Sequence, residues 1–181
     1  IQTLSPKERA NLIAYIPQYH TPIFSYTALE VVIMGRASHF SAFKMPKSID
    51  RQAAFHALEK VNALHLANRP YSSLSGGQRQ LIFIARALCQ SAKILIMDEP
   101  AASLDYANQQ RLTYVIRSLA QNGYCIIMST HSPEHLASLG SLVLLMKDGK
   151  SASFGTSSQV ITPQNLKQVY GIDMDVLTVT N

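Results

Sequence analysis

Two short and wholly apolar runs in the second half of the chain restrict the folds open to it. They are Ile94–Met97 and Cys125–Met128, each too short for a helix of ordinary length. Residues 106–120, between the two runs, carry apolar side chains at helical spacing: Leu112, Val115, Ile116 and Leu119. A strand, a helix and a second buried strand in this order predict an α/β domain with a mainly parallel sheet.

Turn and cap signals extend this prediction toward the end of the chain. Pro133 suits the first turn of a helix that ends near Gly140. Residues 142–146 form another apolar run, and the Asp148-Gly149 pair is typical of a tight turn into a partner strand at 152–154. We therefore expect the sheet to end in an antiparallel hairpin.

The first half of the chain shows less regular patterns, and we expect it to be mainly helical. Residues 51–63 carry apolar positions at helical spacing. The apolar positions of residues 78–88 nearly encircle a helix, which should therefore lie deep in its subdomain. Residues 36–47 mix basic, small and aromatic residues without a period, which predicts a surface segment.

Composition excludes several classes of protein. No apolar run approaches the roughly 20 residues that a membrane-spanning helix needs. Two isolated cysteines among 181 residues cannot form a disulfide framework, which favours a reducing compartment. The formal net charge of +5 is compatible with phosphate, nucleic acid or an anionic membrane and selects none of them.

A glycine pair stands directly before the predicted helix at 78–88. The five residues 74–78 read LSGGQ. Adjacent glycines let backbone N–H groups approach a ligand closely, Ser75 can cap the helix, and a helix N-terminus favours negative charge. A glycine pair alone is more often an ordinary turn with a serine cap, but the complete five-residue string favours a site for an anion such as phosphate.

Two carboxylates, Asp98 and Glu99, follow the predicted strand Ile94–Met97 directly. In open α/β sheets, ligands bind at the carboxyl ends of the strands. An Asp-Glu pair after a strand is commonly a solvated loop, but its position 20 residues after LSGGQ favours a functional site.

These motifs and their order resemble those of the ABC-type ATPases. LSGGQ is similar to the family signature, and residues 94–99 (ILIMDE) to its Walker B strand. Residues 103–105 (SLD) resemble the D-loop at the family's dimer interface. Residues 129–131 (STH) resemble the switch-histidine segment, and residues 15–18 (YIPQ) the Q-loop.

The resemblance implies a role for each candidate residue. Asp98 would hold Mg²⁺ with help from Gln18, while Glu99 would polarise the attacking water. His131 would contact the γ-phosphate of ATP, and Asp105 would line the dimer interface. The signature residues would contact the ATP bound by a partner subunit: Ser75, Gly76, Gly77 and Gln78.

The fold implied is a P-loop NTPase-like ABC cassette without its N-terminal part. It would comprise a helical signature subdomain at about 19–90, a catalytic α/β core at 91–155 and a tail at 156–181. The Walker A pattern G-x-x-x-x-G-K-S/T does not occur in the 181 residues, and the first methionine is Met34. We expect the Walker A loop before Ile1, and we expect this chain alone to lack tight ATP binding.

Two alternatives to a transporter ATPase are open. His131, Glu134 and His135 match the zinc-hydrolase pattern H-x-x-E-H, but Pro133 belongs in a first helical turn, which would leave His131 before the helix. ABC-type ATPases that act on nucleic acid carry a long coiled coil between Q-loop and signature. The interval from Gln18 to Leu74 is short and has no heptad repeat, so we expect no nucleic-acid partner.

Within the family, residues 26–36 and 155–171 resemble the ATPases of importers for iron–siderophores, haem, vitamin B12 or molybdate. This resemblance implies a bacterial or archaeal protein on the cytoplasmic face of the cell membrane. Its partners would be a second ATPase subunit and a membrane permease, with a periplasmic or surface binding protein acting indirectly. The permease would contact the aromatic and basic segment from Gln18 to about Lys47.

Overall fold

The computed structural model describes residues 3–18, 26–39 and 45–171. Its contacts divide the chain into two units, Ile1–Ser129 and Thr130–Asn181. The division falls after Ser129, inside the segment 91–155 that the sequence assigns to one core. The predicted boundaries near residues 90 and 155 stay predictions, and each unit is described by itself.

The first unit contains a three-stranded parallel sheet. Its strands lie in the order β1 (Ile13–Ile16), β2 (Ile94–Met97) and β3 (Cys125–Met128), and Ile94 pairs with Ile13 on one side and with Cys125 on the other. The parallel sheet and the strands β2 and β3 confirm the prediction. β1 corrects the prediction that the first half of the chain is mainly helical. A four-residue apolar run cannot be distinguished from a piece of helix by periodicity.

The two faces of this sheet differ in burial. Ala14, Ile16, Leu95 and Met97 lie on one face and are almost fully buried. The opposite face is equally apolar, yet Tyr15 keeps 59% of its exposure and Ile127 keeps 55%. The side chains of this open face are Ile13, Tyr15, Ile94, Ile96, Cys125 and Ile127.

The helix α4 (Gly76–Cys89) packs against β1 and against the helices at Ala28–Ile33 and Ser48–Lys60. Ile82, Ile84 and Ala85 of α4 have no exposed surface, which confirms that this helix lies deep in its subdomain. It begins two residues before the predicted start because Ser75 caps it there. Among the described residues, the other α-helices of the unit are α1 (Pro6–Leu12), α2 (Ala28–Ile33), α3 (Ser48–Lys60) and α5 (Tyr106–Gln121).

The prediction of a surface segment at 36–47 is wrong at its start, and residues 40–44 lie outside the described part. Arg36 is only 15% exposed, and its Nε lies 3.2 Å from Oδ1 of the buried Asp50. Its Nη1 also donates to Ser91 Oγ at 3.1 Å. Asp50 caps α3 by accepting the Lys47 N–H at 2.9 Å, so α3 begins at Ser48, three residues before the predicted start. The basic composition of this segment predicted exposure to solvent, but Arg36 is largely buried because it forms an ion pair with Asp50.

The described part of the second unit, residues 130–171, consists of a hairpin and three short helices. The hairpin pairs β4 (Leu142–Lys147) with β5 (Lys150–Thr156), and Asp148 and Gly149 between them both have positive φ, as the predicted tight turn requires. The helices are α6 (Pro133–Leu139), α7 (Ser157–Val160) and α8 (Pro163–Tyr170). The prediction that the hairpin ends the parallel sheet is wrong, because among the described residues the hairpin forms a separate two-stranded sheet.

No helix in the described ranges is long and apolar enough to cross a membrane. The longest, α5, has 16 residues and includes Arg111 and Arg117. A membrane-spanning helix needs about 20 predominantly apolar residues.

Candidate functional site

The carboxyl ends of the three parallel strands position the two acidic residues. The pairing continues past the strands, since Asp98 N–H donates to the carbonyl of Ile16 at 2.9 Å and Ser129 N–H donates to that of Met97 at 3.0 Å. Asp98, the end of β1 and Ser129 are thereby brought side by side. This edge of the sheet is where ligands of open α/β sheets bind.

Hydroxyl groups from both neighbouring strands approach the Asp98 carboxylate. Ser129 Oγ donates to its Oδ1 at 2.6 Å, and the Tyr15 hydroxyl donates to its Oδ2 at 3.4 Å. Desolvation and the charge of Asp98 raise the pKa of Tyr15, so Tyr15 stays a donor at neutral pH. The orientation of this carboxylate is therefore set by two donors that carry no charge.

Glu99 has an unusual backbone conformation. Its φ is +42°, in the left-handed region that a side chain with a Cβ rarely adopts. Its N–H donates to Ser129 Oγ at 3.0 Å, which helps to hold that conformation. Strained backbone of this kind concentrates at functional sites, which agrees with the predicted role of Glu99.

The signature segment forms a capped helix N-terminus. Ser75 Oγ accepts the Gln78 N–H at 3.3 Å, while Gln78 Oε1 accepts the Ser75 N–H at 3.1 Å. This reciprocal capping satisfies two of the N–H groups that a helix start leaves open. Gly76 is exposed and Gly77 is buried. Ser75 therefore acts as a cap in this structure, and the role of the segment in binding phosphate stays a prediction.

Asp105 caps α5, and it also belongs to the predicted D-loop. Its Oδ1 accepts the backbone N–H of Asn108 at 2.8 Å, and its Oδ2 accepts the Asn108 side-chain amide at 2.8 Å. The backbone hydrogen bond from Asn108 is the main reason that the pKa of Asp105 is lowered. The carboxylate is thus ionised and oriented at neutral pH.

Gln18 and His131 each follow a strand of the parallel sheet by two or three residues. Gln18 comes two residues after β1 and is half-buried, and residues 19–25 beyond it lie outside the described part of the chain. His131 belongs to the second unit, where its carbonyl accepts the Tyr170 hydroxyl at 3.3 Å. Tyr170, at the end of α8, therefore fixes the backbone at His131.

The structure does not support the zinc alternative. α6 begins at Pro133, so His131 lies before the helix and shares no helical face with His135. Among the described residues, which include all three proposed ligands, no group of three or more His, Cys, Asp or Glu could hold a metal ion. His135 is buried, and burial lowers its pKa.

Sequence reasoning missed two side chains of the site, Tyr15 and Ser129. Tyr15 belongs to the Q-loop motif and Ser129 to the switch-histidine motif, but neither motif implies a role for them. The missing signal was β1: without a strand at Ile13–Ile16, nothing placed Tyr15 beside Asp98. Ser129 follows β3 by one residue, so the parallel pairing of β2 with β3 is what brings it to Asp98.

Comparison with known proteins agrees with the motifs. The sequence profile of the ABC transporter family matches residues 2–102, more than half of the chain. The chain belongs to the ABC transporter family. An ABC transporter ATP-binding protein of Haemophilus influenzae is 39% identical over 173 residues, which cover 96% of this chain and 66% of the relative. The molybdate import ATP-binding protein MolC of that species is 38% identical over 163 residues, covering 90% and 64%.

Solved structures support the fold of the family. A metal-chelate type ABC transporter in an inward-facing conformation matches with a TM-score of 0.84 and 37% identity, over 90% of this chain and 64% of that one. The chain is thus a member with the ABC ATPase fold, a P-loop NTPase-like cassette of helices and parallel sheet. It spans about two thirds of the length of these ABC transporter proteins.

Proposed function

We propose that this chain carries the ATP-hydrolysing and partner-binding motifs of the ATP-binding subunit of an ABC importer. One observation supports this most: Asp98 and Glu99 lie at the carboxyl ends of three parallel strands, and one hydroxyl, that of Ser129, is bonded to both. In this role Asp98 contributes to binding Mg²⁺, and Glu99 orients and polarises the water that attacks ATP.

The donor set at Asp98 suits Mg²⁺ better than zinc. Mg²⁺ prefers oxygen ligands and is usually bound through one or two carboxylates together with waters and substrate phosphates. Asp98 supplies a carboxylate whose orientation is set by Ser129 and Tyr15. Gln18 would add an amide oxygen in this proposal. When bound, Mg²⁺ would neutralise negative charge on the phosphates of ATP.

The signature segment and the D-loop serve the second subunit in this proposal. Gly76 is exposed at a helix N-terminus, where backbone N–H groups and the helix dipole favour the phosphates of ATP held by the partner. Ser75, Gly77 and Gln78 complete this segment, and Asp105 lies in the interface. His131 contacts the γ-phosphate.

We also propose that a membrane permease contacts the segment after Gln18. The described parts of that segment expose Tyr26 and Met45, the latter with 86% of its surface. Phe24, Phe40 and Phe43, which contribute to the prediction, lie outside the described residues. Tyr26 is also tied to the signature side of the unit, because its carbonyl accepts the Tyr71 N–H at 2.8 Å, three residues before LSGGQ begins.

The cargo in this proposal is a metal chelate or a related ligand such as molybdate. The names of MolC and of the metal-chelate type transporter support this choice. The chain would then act with a permease and, indirectly, with a binding protein at the cytoplasmic face of a bacterial or archaeal membrane. The proposal includes no nucleic-acid partner.

Testing the proposal requires a Walker A segment, which the 181 residues do not contain. We define the extended protein as this chain joined at its start to a segment of an ABC-type ATPase that contains a G-x-x-x-x-G-K-S/T pattern. It should hydrolyse ATP, whereas its Glu99→Gln variant should dimerise with ATP without hydrolysing it. The 181-residue chain alone should show no turnover above its own Glu99→Gln control. A Glu99→Gln variant with near-parental turnover would overturn the role of Glu99.

A further inference from the structure

Asn108 lies between the D-loop and the signature segment and is bonded to the first of them. Its backbone N–H and its side-chain Nδ2 each donate to a different oxygen of Asp105, both at 2.8 Å. An asparagine held at two points keeps one side-chain orientation. The Cγ and Oδ1 atoms of the amide group therefore have a fixed position.

The signature glycine Gly77 packs against that amide group. A Cβ placed on Gly77 would lie 2.5 Å from Asn108 Cγ and 2.7 Å from its Oδ1, both closer than non-bonded atoms approach. Gly77 has no positive φ, so its backbone conformation does not require glycine. What requires glycine here is the close approach of Asn108.

The neighbouring residue gives the contrast. A Cβ on Gly76 would meet nothing within 4 Å. The two glycines of the signature therefore differ: Gly76 faces open space, and Gly77 makes room for a side chain of the same molecule.

The next residue of α5 holds the loop that precedes the helix. Gln109 Nε2 donates to the carbonyl of Leu104 at 3.1 Å and approaches that of Ala101 at 3.4 Å. The first turn of α5 is thus bonded to the loop on one side and packed on the signature helix on the other.

We propose that Asn108 is a positioning residue that locks the signature segment to the D-loop. The inference rests on the proposed function, in which both motifs face the partner subunit. With Asn108 in place, Asp105 and the N-terminus of α4 approach the partner as one rigid surface. Without it, the two motifs are positioned independently, and the dimer that ATP induces is weaker.

The contact itself is tested without nucleotide, by thermal unfolding of the 181-residue chain. Alanine favours helices over glycine, so Gly76→Ala should keep or raise the melting temperature. Gly77→Ala should lower it because of the collision with Asn108. The double variant Gly77→Ala/Asn108→Ala should recover part of that loss, because it removes Cγ and Oδ1 of Asn108 but leaves the Cβ, which would lie 3.0 Å from the added Cβ. Equal effects of Gly76→Ala and Gly77→Ala, or no recovery, would overturn the contact.

The positioning role is tested in the extended protein by two affinities. Asn108→Ala should leave the affinity for ATP in the monomer unchanged and should raise the dissociation constant of the ATP-induced dimer about fivefold, the loss expected for the one side-chain hydrogen bond that the substitution removes. Gly77→Ala should weaken the dimer further, because its Cβ displaces Asn108. If Asn108→Ala only destabilised the fold, the affinity for ATP in the monomer and the affinity of the dimer should both fall.

The possible outcomes distinguish a failure of the proposed function from a failure of the positioning role of Asn108. An extended protein that does not dimerise with ATP at all overturns the proposed function. If the parent dimerises and Asn108→Ala dimerises equally well, only the positioning role of Asn108 is overturned. If Asn108→Ala also loses its own ATP affinity in the monomer, the residue supports the fold in general, and the positioning role is again overturned.

Discussion

The hydroxyl of Ser129 lies 2.6 Å from Oδ1 of Asp98 and donates its hydrogen to it. The same oxygen accepts the N–H of Glu99 at 3.0 Å, so one small side chain connects the two acidic residues. Ser129 comes from the neighbouring strand end, and its position depends on the parallel pairing of β2 with β3. The Asp98 carboxylate and the Glu99 backbone are therefore both held by a residue from the neighbouring strand end.

Replacing Ser129 tests this relationship. In the extended protein, Ser129→Ala should raise the Mg²⁺ concentration for half-maximal ATP hydrolysis about threefold to tenfold, because Asp98 loses its shortest hydrogen bond. Mn²⁺ binding followed by electron paramagnetic resonance should weaken in parallel. Ser129→Thr keeps the hydroxyl and serves as the matched control. Equal Mg²⁺ dependence of Ser129→Ala and the parent would contradict the prediction.

The ion pair between Arg36 and Asp50 should contribute strongly to stability. Arg36→Ala leaves the buried carboxylate of Asp50 without its guanidinium, and we expect a loss of about 3 kcal/mol in the free energy of unfolding. Arg36→Lys keeps the charge but cannot bond Asp50 and Ser91 together, so its loss should be intermediate. Urea denaturation measures both. A change below about 0.5 kcal/mol in Arg36→Ala, as for an ordinary surface residue, would contradict the prediction.

The two cysteines should differ sharply in reactivity. Cys89 is 2% exposed, and burial raises its pKa to about 11, so almost no thiolate forms at pH 7.5. Cys125 is exposed. Labelling with a thiol reagent should modify one cysteine per chain quickly and the second only in denaturant. Cys125→Ser should remove the fast reaction, and two fast thiols in the parent would show that Cys89 is accessible.

The carboxylate of Asp105 should make stability depend on pH in the acidic range. Its folded-state pKa lies below the ordinary value of about 3.9, so its stabilising contribution is complete above that value and is lost as the pH falls through the folded-state pKa. The difference in unfolding free energy between the parent and Asp105→Asn should therefore shrink below about pH 4. A difference that grows on acidification would contradict this sign.

The proposed permease contact can be mapped by crosslinking. After Cys125→Ser removes the exposed thiol, single cysteines at Tyr26 and Met45 should crosslink to a co-expressed permease, because both side chains are exposed in the segment after Gln18. Tyr114, 66% exposed on α5, provides the control position. Crosslinks from position 114 and none from 26 or 45 would place the contact on another face.

Local patterns determined which parts of the fold could be predicted. β2, α5 and β3 follow from apolar spacing alone, and the turn at Asp148 and Gly149 follows from its residue types. β1 could not be predicted, because its identity as a strand depends on pairing with β2, 81 residues further along the chain. Long-range pairing leaves no periodic signal in a four-residue segment.

The site divides in the same way. Asp98 and Glu99 were predictable because their strand and motif are local. Tyr15, Ser129 and Asn108 act through contacts across strands and helices, which a motif does not encode. Arg36 shows the limit of composition, because its partner Asp50 decides that a basic residue is buried.

The free energy of unfolding of this chain depends on whether the open face of its parallel sheet is covered. Parallel sheets are normally covered on both sides, and here Tyr15, Cys125 and Ile127 face water. Fully burying one exposed isoleucine side chain is worth about 1.5–3 kcal/mol, a large share of the roughly 5–15 kcal/mol by which folded domains are stable. A molecule that covers these side chains would therefore raise the melting temperature of the chain and slow its proteolysis.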